Sequence, residues 1–354
     1  MVKRKTRPIQ IGGFDHVEPV IIGGDFPVAI QSMWKDPLPD TGYDELISRI
    51  NRLHKMGCKI LRFAVPDEST ASRLGEIAAQ VSMPLVADIH FDYKIALHCL
   101  DVPIAKIRIN PGNIGIHTEA ILQKAACRNI PVRIGINAGS LPPDLREMPP
   151  TDALVKAAER ELEYCEKRAY KNIILSVKAS SIDQTVEVNR RLAHATDVPL
   201  HIGLTEAGPL VSGVVKSTVA LWTLLSEGIG DTIRVSLSDS PENEIIAAKE
   251  ILRTVGQEEA GVEIISCPKC GRNSFDTHAF TEKWIPVLYS INRNLTIAIM
   301  GCAVNGPGEA KHADLGITGA GDSVLLFRHG KIIRTLAPEE ADKAFEEELL
   351  KAVD

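Results

Sequence analysis

Eight times in the first 255 residues, a short β-branched run gives way to a helix-length segment with apolar residues three and four apart. The runs are Pro27–Met33, Ile60–Val65, Pro84–Ile89, Lys106–Asn110, Pro131–Ile136, Asn172–Val177, Pro199–Thr205 and Thr232–Leu237. Eight strand-plus-helix units in about 250 residues predict an α/β chain closed into a (β/α)8 barrel. A doubly wound open sheet is the competing arrangement. The first helical segment shows its period in Leu46, Ile47, Ile50, Leu53 and Met56, with Asp40 or Thr41 as the expected cap. Another helix is expected from Ser180, with Asp183 where a capping box usually has glutamate. Ahead of the first run, Val20-Ile21-Ile22-Gly23-Gly24-Asp25 reads as a tight hairpin suited to plugging the bottom of a barrel.

After the polar connection Gln257-Glu258-Glu259-Ala260-Gly261 the pattern changes. A strand at Val262–Ser266 is expected to run into Cys267-Pro268-Lys269-Cys270, and a strand at Leu295–Met300 into Gly301-Cys302. A helix is expected over Asp276–Ile291, a hairpin from Val324–Phe327 and Lys331–Thr335, and a last helix over Pro338–Val353 with Leu349 and Leu350 facing inward. Residues 1–257 therefore read as a barrel domain that binds substrate, and 258–354 as a small α+β domain.

Composition narrows the function classes. Of 354 residues, 44% are hydrophobic and 24% charged, which a globular chain has and a disordered one does not. Lysine plus arginine number 40 against 46 acidic residues, so no basic field points to nucleic acid. No apolar stretch approaches the roughly 20 residues needed to span a membrane. The basic start, Lys3, Arg4, Lys5 and Arg7, has no apolar core behind it and reads as a solvated tail rather than a secretory signal. Seven unevenly spread cysteines argue against a disulfide framework, and Cys58, Cys99, Cys127 and Cys165 read as small buried hydrophobes. A soluble, cytoplasmic protein is the expectation.

The strands themselves carry charge. Residues two apart on a strand share a face, so Lys106, Arg108 and Asn110 lie together, as do Arg133, Gly135 and Asn137, and Arg234, Ser236 and Ser238. Neighbouring strands add Arg62, Asp88, His90, Lys178, Thr205 and Glu206. In a barrel the apolar face meets the helices, so these polar faces are expected to point inward, toward the rim where barrel enzymes keep their chemistry. One strand arginine is commonly half of a surface ion pair. Five cations at corresponding places, Arg62, Arg108, Arg133, Lys178 and Arg234, repel one another unless an anion balances them. Asp88 and Glu206 are too few for that. An anionic ligand, and a diphosphate in particular, fits the arginine forks. No GxxxxGK[ST] or GxGxxG motif suggests a nucleotide cofactor.

Cys267-Pro268-Lys269-Cys270 alone suits zinc, iron–sulfur or redox use, and Cys302 in Met300-Gly301-Cys302-Ala303-Val304-Asn305-Gly306-Pro307-Gly308-Glu309 supplies a third thiol. Three thiolates favour an iron–sulfur cluster with one iron left for a weaker ligand. His278 or His312 completing a Cys3His zinc site stays open on spacing.

These two cysteine segments resemble the 4-hydroxy-3-methylbut-2-enyl diphosphate synthase family of the methylerythritol phosphate route to isoprenoids. The likeness extends to Ile30-Gln31-Ser32-Met33, Lys106–Asn113 and His201–Gly208, and so covers nearly the whole chain. With no room for an inserted domain, the chain is similar to the compact bacterial form. The resemblance implies reductive ring opening, with loss of water, of methylerythritol cyclodiphosphate. It implies a [4Fe-4S] cluster held by Cys267, Cys270, Cys302 and Glu309. It implies substrate contacts from Arg62, Arg108, Asn110, Arg133, Asn137, Lys178 and Arg234. Glu206 becomes the acid–base candidate, with Asp88 and His90 beside the substrate. Flavodoxin or ferredoxin is the implied electron donor. The assembly expected is a homodimer in which one chain's cluster domain covers the other's barrel. The competing readings are a zinc-dependent barrel lyase and an electron-transfer module fused to a metabolite-binding barrel.

Overall fold

The computed structural model describes residues 3–257, 260–268, 270–303, 308 and 310–353. The chain divides into two compact units, Met1–Glu258 and Glu259–Asp354.

Two short strands open the first unit. β1 (Ile9–Ile11) and β2 (Val20–Ile22) run antiparallel, with Ile9 opposite Ile22. The hairpin is thus earlier and wider than Val20–Asp25, because Gly23-Gly24 turns the chain into the barrel instead of joining two strands. Eight parallel strands follow: β3 (Ala29–Met33), β4 (Ile60–Ala64), β5 (Leu85–Ile89), β6 (Lys106–Ile109), β7 (Val132–Asn137), β8 (Ile173–Lys178), β9 (His201–Ile202) and β10 (Thr232–Ile233). Their order is β8-β7-β6-β5-β4-β3-β10-β9, and a parallel bridge from Leu175 to Leu200 completes the ring. The open sheet is excluded. The structure is a (β/α)8 barrel.

Helices fill every connection: α1 (Asp44–Lys55), α2 (Glu68–Ala78), α3 (Tyr93–Cys99), α4 (Pro111–Ile114) with α5 (Thr118–Cys127), α6 (Pro150–Lys167), α7 (Ile182–Ala195), α8 (Leu210–Ser226) and α9 (Pro241–Thr254). Leu46, Ile50 and Leu53 form the buried stripe of α1. That helix starts at Tyr43 without a side-chain cap, so neither Asp40 nor Thr41 serves there. Ser181 rather than Ser180 caps α7, its hydroxyl accepting from the Gln184 amide at 3.4 Å. Cys58, Cys99 and Cys165 are buried as expected, whereas Cys127, at the end of α5, is exposed.

The β1–β2 hairpin is the floor of the barrel. Ile9, Ile11, Val17 and Ile22 pack on Ala29, Ile60, Val86, Ala105 and Ile174, at or near the first residues of the strands. Burying an isoleucine this fully stabilises by about 1.5–3 kcal/mol. Among the described residues, no helix is long and apolar enough to cross a membrane.

The second unit is a five-stranded mixed sheet: β11 (Val262–Ser266), β12 (Leu295–Met300), β13 (Leu315–Ala320), β14 (Ser323–Arg328) and β15 (Lys331–Leu336), in that order across the sheet. β11, β12 and β13 are mutually parallel, while β14 runs against β13 and β15. α10 (Thr277–Leu288) and α11 (Ala341–Val353) lay Phe280, Trp284, Phe345 and Leu349 on Ile297, Ile299 and Ile317. The Phe345 ring meets Phe280 and Trp284 edge-on, at 5.1 and 4.9 Å between centroids. Leu350 is 61% exposed, so of the two leucines only Leu349 belongs to the inner face of α11.

Candidate active site

Strand register sets the row from which the barrel site is built. Asp88 on β5 pairs with Arg108 on β6, and Arg108 with Arg133 on β7. All three are buried, on the face that alternation turns inward. Around them is a cavity of about 220 Å³. Eight of the candidate residues line it: Arg62, Asp88, His90, Arg108, Arg133, Asn137, Lys178 and Arg234. Gly135 makes space for the Arg108 head group. A Cβ there would stand 2.5 Å from Arg108 Nε.

The charges are only partly matched. Asp88 accepts from Arg108 Nη1 at 3.0 Å and lies 3.4 Å from Arg62 Nε. Burial opposes its ionisation, but Arg62, Arg108, His90 and Arg133 prevail and hold the carboxyl at about 2. His90 Nε2 is 3.0 Å from Arg108 Nη1. Burial and the surrounding guanidiniums lower its pKa, against the pull of Asp88, so the ring is neutral at pH 7. A neutral Nε2 accepts from Arg108. Burial, and then the charges of their neighbours, push Arg133 and Lys178 well below their ordinary values. Arg133 Nε and Nη1, Arg108 Nε and Arg62 Nε are buried without a hydrogen-bond partner among the described residues. Such donors cost about 1–3 kcal/mol each when left unmet. An anion with several oxygens removes that cost.

Two participants, Glu244 and His201, were not among the expected site residues. Glu244 on α9, 1% exposed, is 3.1 Å from Arg234 Nη2 and is the second buried carboxylate of the site. His201, fully buried, holds Lys178 Nζ at 3.1 Å through Nε2 and meets Thr232 Oγ1 at 2.8 Å through Nδ1. Below the cavity, Lys106 Nζ donates to Gln31 Oε1 at 3.0 Å. Two anticipated residues lie elsewhere. Asn110 uses its side chain to cap α4, accepting from the Gly112 amide at 3.2 Å. Glu206 is exposed, with a left-handed φ of 53°, one residue beyond Thr205, which does line the cavity.

In the second unit, Cys267 follows β11 and Cys302 follows β12, at the same end of two adjacent parallel strands. Cys302 is buried, Cys267 half-buried and Cys270 exposed. The Gly301 amide donates to Cys267 Sγ at 3.0 Å, the kind of bond that tunes a cluster-bound thiolate. The thiol donor set fits an iron–sulfur group. His278 and His312 are exposed. Among the described residues, no three Cys, His, Asp or Glu side chains converge to hold a single metal ion. Glu309 and the turn Asn305-Gly306-Pro307 lie outside the described residues.

A closed (β/α)8 barrel with a cation-lined cavity at its strand ends, continued by a small mixed-sheet unit carrying three cysteines, is a two-unit class of chain. The GcpE TIM-barrel domain model matches residues 8–249, and the GcpE protein C-terminal domain model matches 263–351. The chain belongs to the GcpE family and is an oxidoreductase enzyme, as its relatives are. It is 48% identical to the 4-hydroxy-3-methylbut-2-en-1-yl diphosphate synthase (flavodoxin) of Treponema denticola, over 98% of this chain and 96% of that one. It is 46% identical to the enzyme of the same name from Treponema pallidum, covering 98% and 91%. The Bacillus subtilis enzyme of that name is 43% identical, covering 99% and 92%. Among solved structures, dihydropteroate synthase of Yersinia pestis shares the barrel fold, with a TM-score of 0.50 at 12% identity over 70% of this chain and 97% of that one.

Proposed function

We propose that this enzyme opens 2-C-methyl-D-erythritol 2,4-cyclodiphosphate reductively, with loss of water, to 4-hydroxy-3-methylbut-2-enyl diphosphate. One observation carries the reading. Five buried or nearly buried cations line the cavity, and the two carboxylates that pair with them, Asp88 and Glu244, do not balance them. A cyclic diphosphate brings the missing negative charge. The unpartnered nitrogens of Arg133 and Arg108 are suited to its phosphate oxygens, with Arg62, Lys178 and Asn137 beside them.

Cys267, Cys270, Cys302 and Glu309 would hold a [4Fe-4S] cluster, which when bound would pass on the donor's two electrons one at a time and offer a Lewis-acidic iron. The rest of the work falls to the barrel. As one C–O bond of the ring breaks, negative charge grows on the freed end of the diphosphate, which stays attached at its other end, and fixed guanidiniums stabilise it. Glu206, the residue after the cavity-lining Thr205, is the proton donor for the departing hydroxyl. Asp88 stays ionised and orients Arg62 and Arg108, and His90 serves as a neutral acceptor for Arg108. Flavodoxin or ferredoxin delivers the electrons. No disulfide joins any of the seven cysteines, which supports a cytoplasmic location. A homodimer is part of the proposal: Val211, Val215, Val219 and Trp222 form a stripe on α8, each 48–77% exposed, that a second copy would cover.

Anaerobic purification followed by iron and sulfide analysis, then turnover of the cyclodiphosphate with reduced flavodoxin, tests the reading. Iron and sulfide together with product support it. Zinc without sulfide overturns it.

A further inference from the structure

β10 holds only Thr232 and Ile233 in the sheet ladder, yet the segment beyond it delivers Arg234 and Ser236 to the cavity. Two backbone bonds hold it, from the Arg234 amide to the Ile202 carbonyl at 3.1 Å and from the Ser238 amide to the Gly208 carbonyl at 3.0 Å, and side chains supply the rest. The Glu244 carboxylate does much of this. Its Oε1 accepts from Arg234 Nη2 at 3.1 Å, the Leu237 amide at 3.1 Å and Lys35 Nζ at 2.9 Å. Its Oε2 accepts from Ser32 Oγ at 2.9 Å and Arg234 Nε at 3.2 Å. Five donors on two oxygens saturate a carboxylate. Lys35 also donates to the Leu237 carbonyl at 2.6 Å and to that of Asp239. Ser32 lies on β3 and Lys35 just beyond it, so the carboxylate sews the first barrel strand to the segment after the last.

We infer that Glu244 is a positioning residue for the reaction: it latches the Arg234–Asp239 segment to β3 and fixes which edge of Arg234 faces the substrate. With its Nε–Nη2 edge taken by Glu244, Arg234 has only its outer Nη1–Nη2 edge left to present to the substrate. Arg133, whose Nε and Nη1 are unpartnered, is the less committed guanidinium of the two. Glu244 touches no substrate; it acts through Arg234. The inference rests on the reading that the cage binds a cyclic diphosphate.

The test compares Arg234→Ala, Glu244→Gln, their double variant and Lys35→Met in the cluster-loaded enzyme, measuring KM, kcat and Tm. Arg234→Ala should raise KM at least ten-fold. Glu244→Gln should raise it by a similar factor, and the double variant should be no worse than Arg234→Ala within two-fold, because coupled residues fail to add. Lys35→Met, which removes a strap outside the cavity, should raise KM several-fold with Tm little changed. An unchanged KM for the cyclodiphosphate in Arg234→Ala counts against the cage reading itself. If Arg234→Ala raises KM but Glu244→Gln and Lys35→Met do not, or if the two effects multiply in the double variant, only the latch is overturned. Should Glu244→Gln fail to fold, KM in Lys35→Met decides alone.

Discussion

Arg133 is 2% exposed, and neither its Nε nor its Nη1 has a partner among the described residues. A buried guanidinium kept in that state is poised for a ligand rather than for the fold. Arg133→Ala and Arg108→Ala are therefore expected to raise KM and lower kcat while the cluster spectrum is unchanged. Losing a charge-assisted contact costs about 1.5–3 kcal/mol, or roughly ten- to more than hundred-fold in kcat/KM. Wild-type kinetics in both variants would remove the phosphate clamp. Asp88 gives a pH prediction. Its folded pKa of about 2 lies below the unfolded carboxylate value near 4, so its stabilising contribution is present above about pH 4. It is lost as pH falls from there toward 2. Asp88→Asn should be less stable than wild type at pH 7 by about 3–5 kcal/mol, since two buried arginines lose their counter-charge. Its urea midpoint should also be flatter across that acid range; an equally steep fall would show that another group titrates there. Alternation along the strands was enough to find the cations, because a period of two survives as long as the strand does. It failed one step past the strand ends. Asn110 keeps an extended backbone but spends its side chain capping α4, and Glu206 has turned into the left-handed region. Glu244 was invisible for another reason: nothing local separates it from Glu242 or Glu250, and only the curvature of the barrel brings it against Ser32.

The hairpin floor and the substrate cavity sit at opposite ends of the same strands. Ile11→Ala or Ile22→Ala, each at a fully buried position, should cost about 2–5 kcal/mol in denaturant unfolding and leave KM unchanged. A shift in KM matching the loss of stability would mean that floor and site are not independent. Gly135→Ala should do the reverse. The added methyl would displace the Arg108 guanidinium, so substrate affinity should drop by ten-fold or more while Tm moves by only a few degrees. An unchanged KM would show that Arg108 can be repositioned freely. The strand–helix alternation made the barrel readable from the chain, because each unit states its own period. β13 escaped, since Gly316 and Gly319 dilute its β-branched signal. Gly316 is needed there because a Cβ would stand 2.1 Å from the Phe327 ring on the paired strand. That requirement is tertiary and leaves no mark on the local sequence.

Two units, one with the anion cage and one with the thiols, divide the proposed labour between binding and electron supply. If the active assembly is a dimer in which each barrel is served by its partner's cluster, a chain carrying Cys302→Ser and a chain carrying Glu206→Gln should complement each other. Mixed dimers should regain up to about a quarter to a half of wild-type activity, depending on how the chains pair. No recovery in verified heterodimers would rule out service in trans. The β1–β2 floor bears on traffic as well as on stability. A barrel stopped at its lower end has a single doorway, so the product leaves by the path the substrate must enter. A slow departure then blocks the next arrival, and the diphosphate product should inhibit as a simple competitor of the substrate.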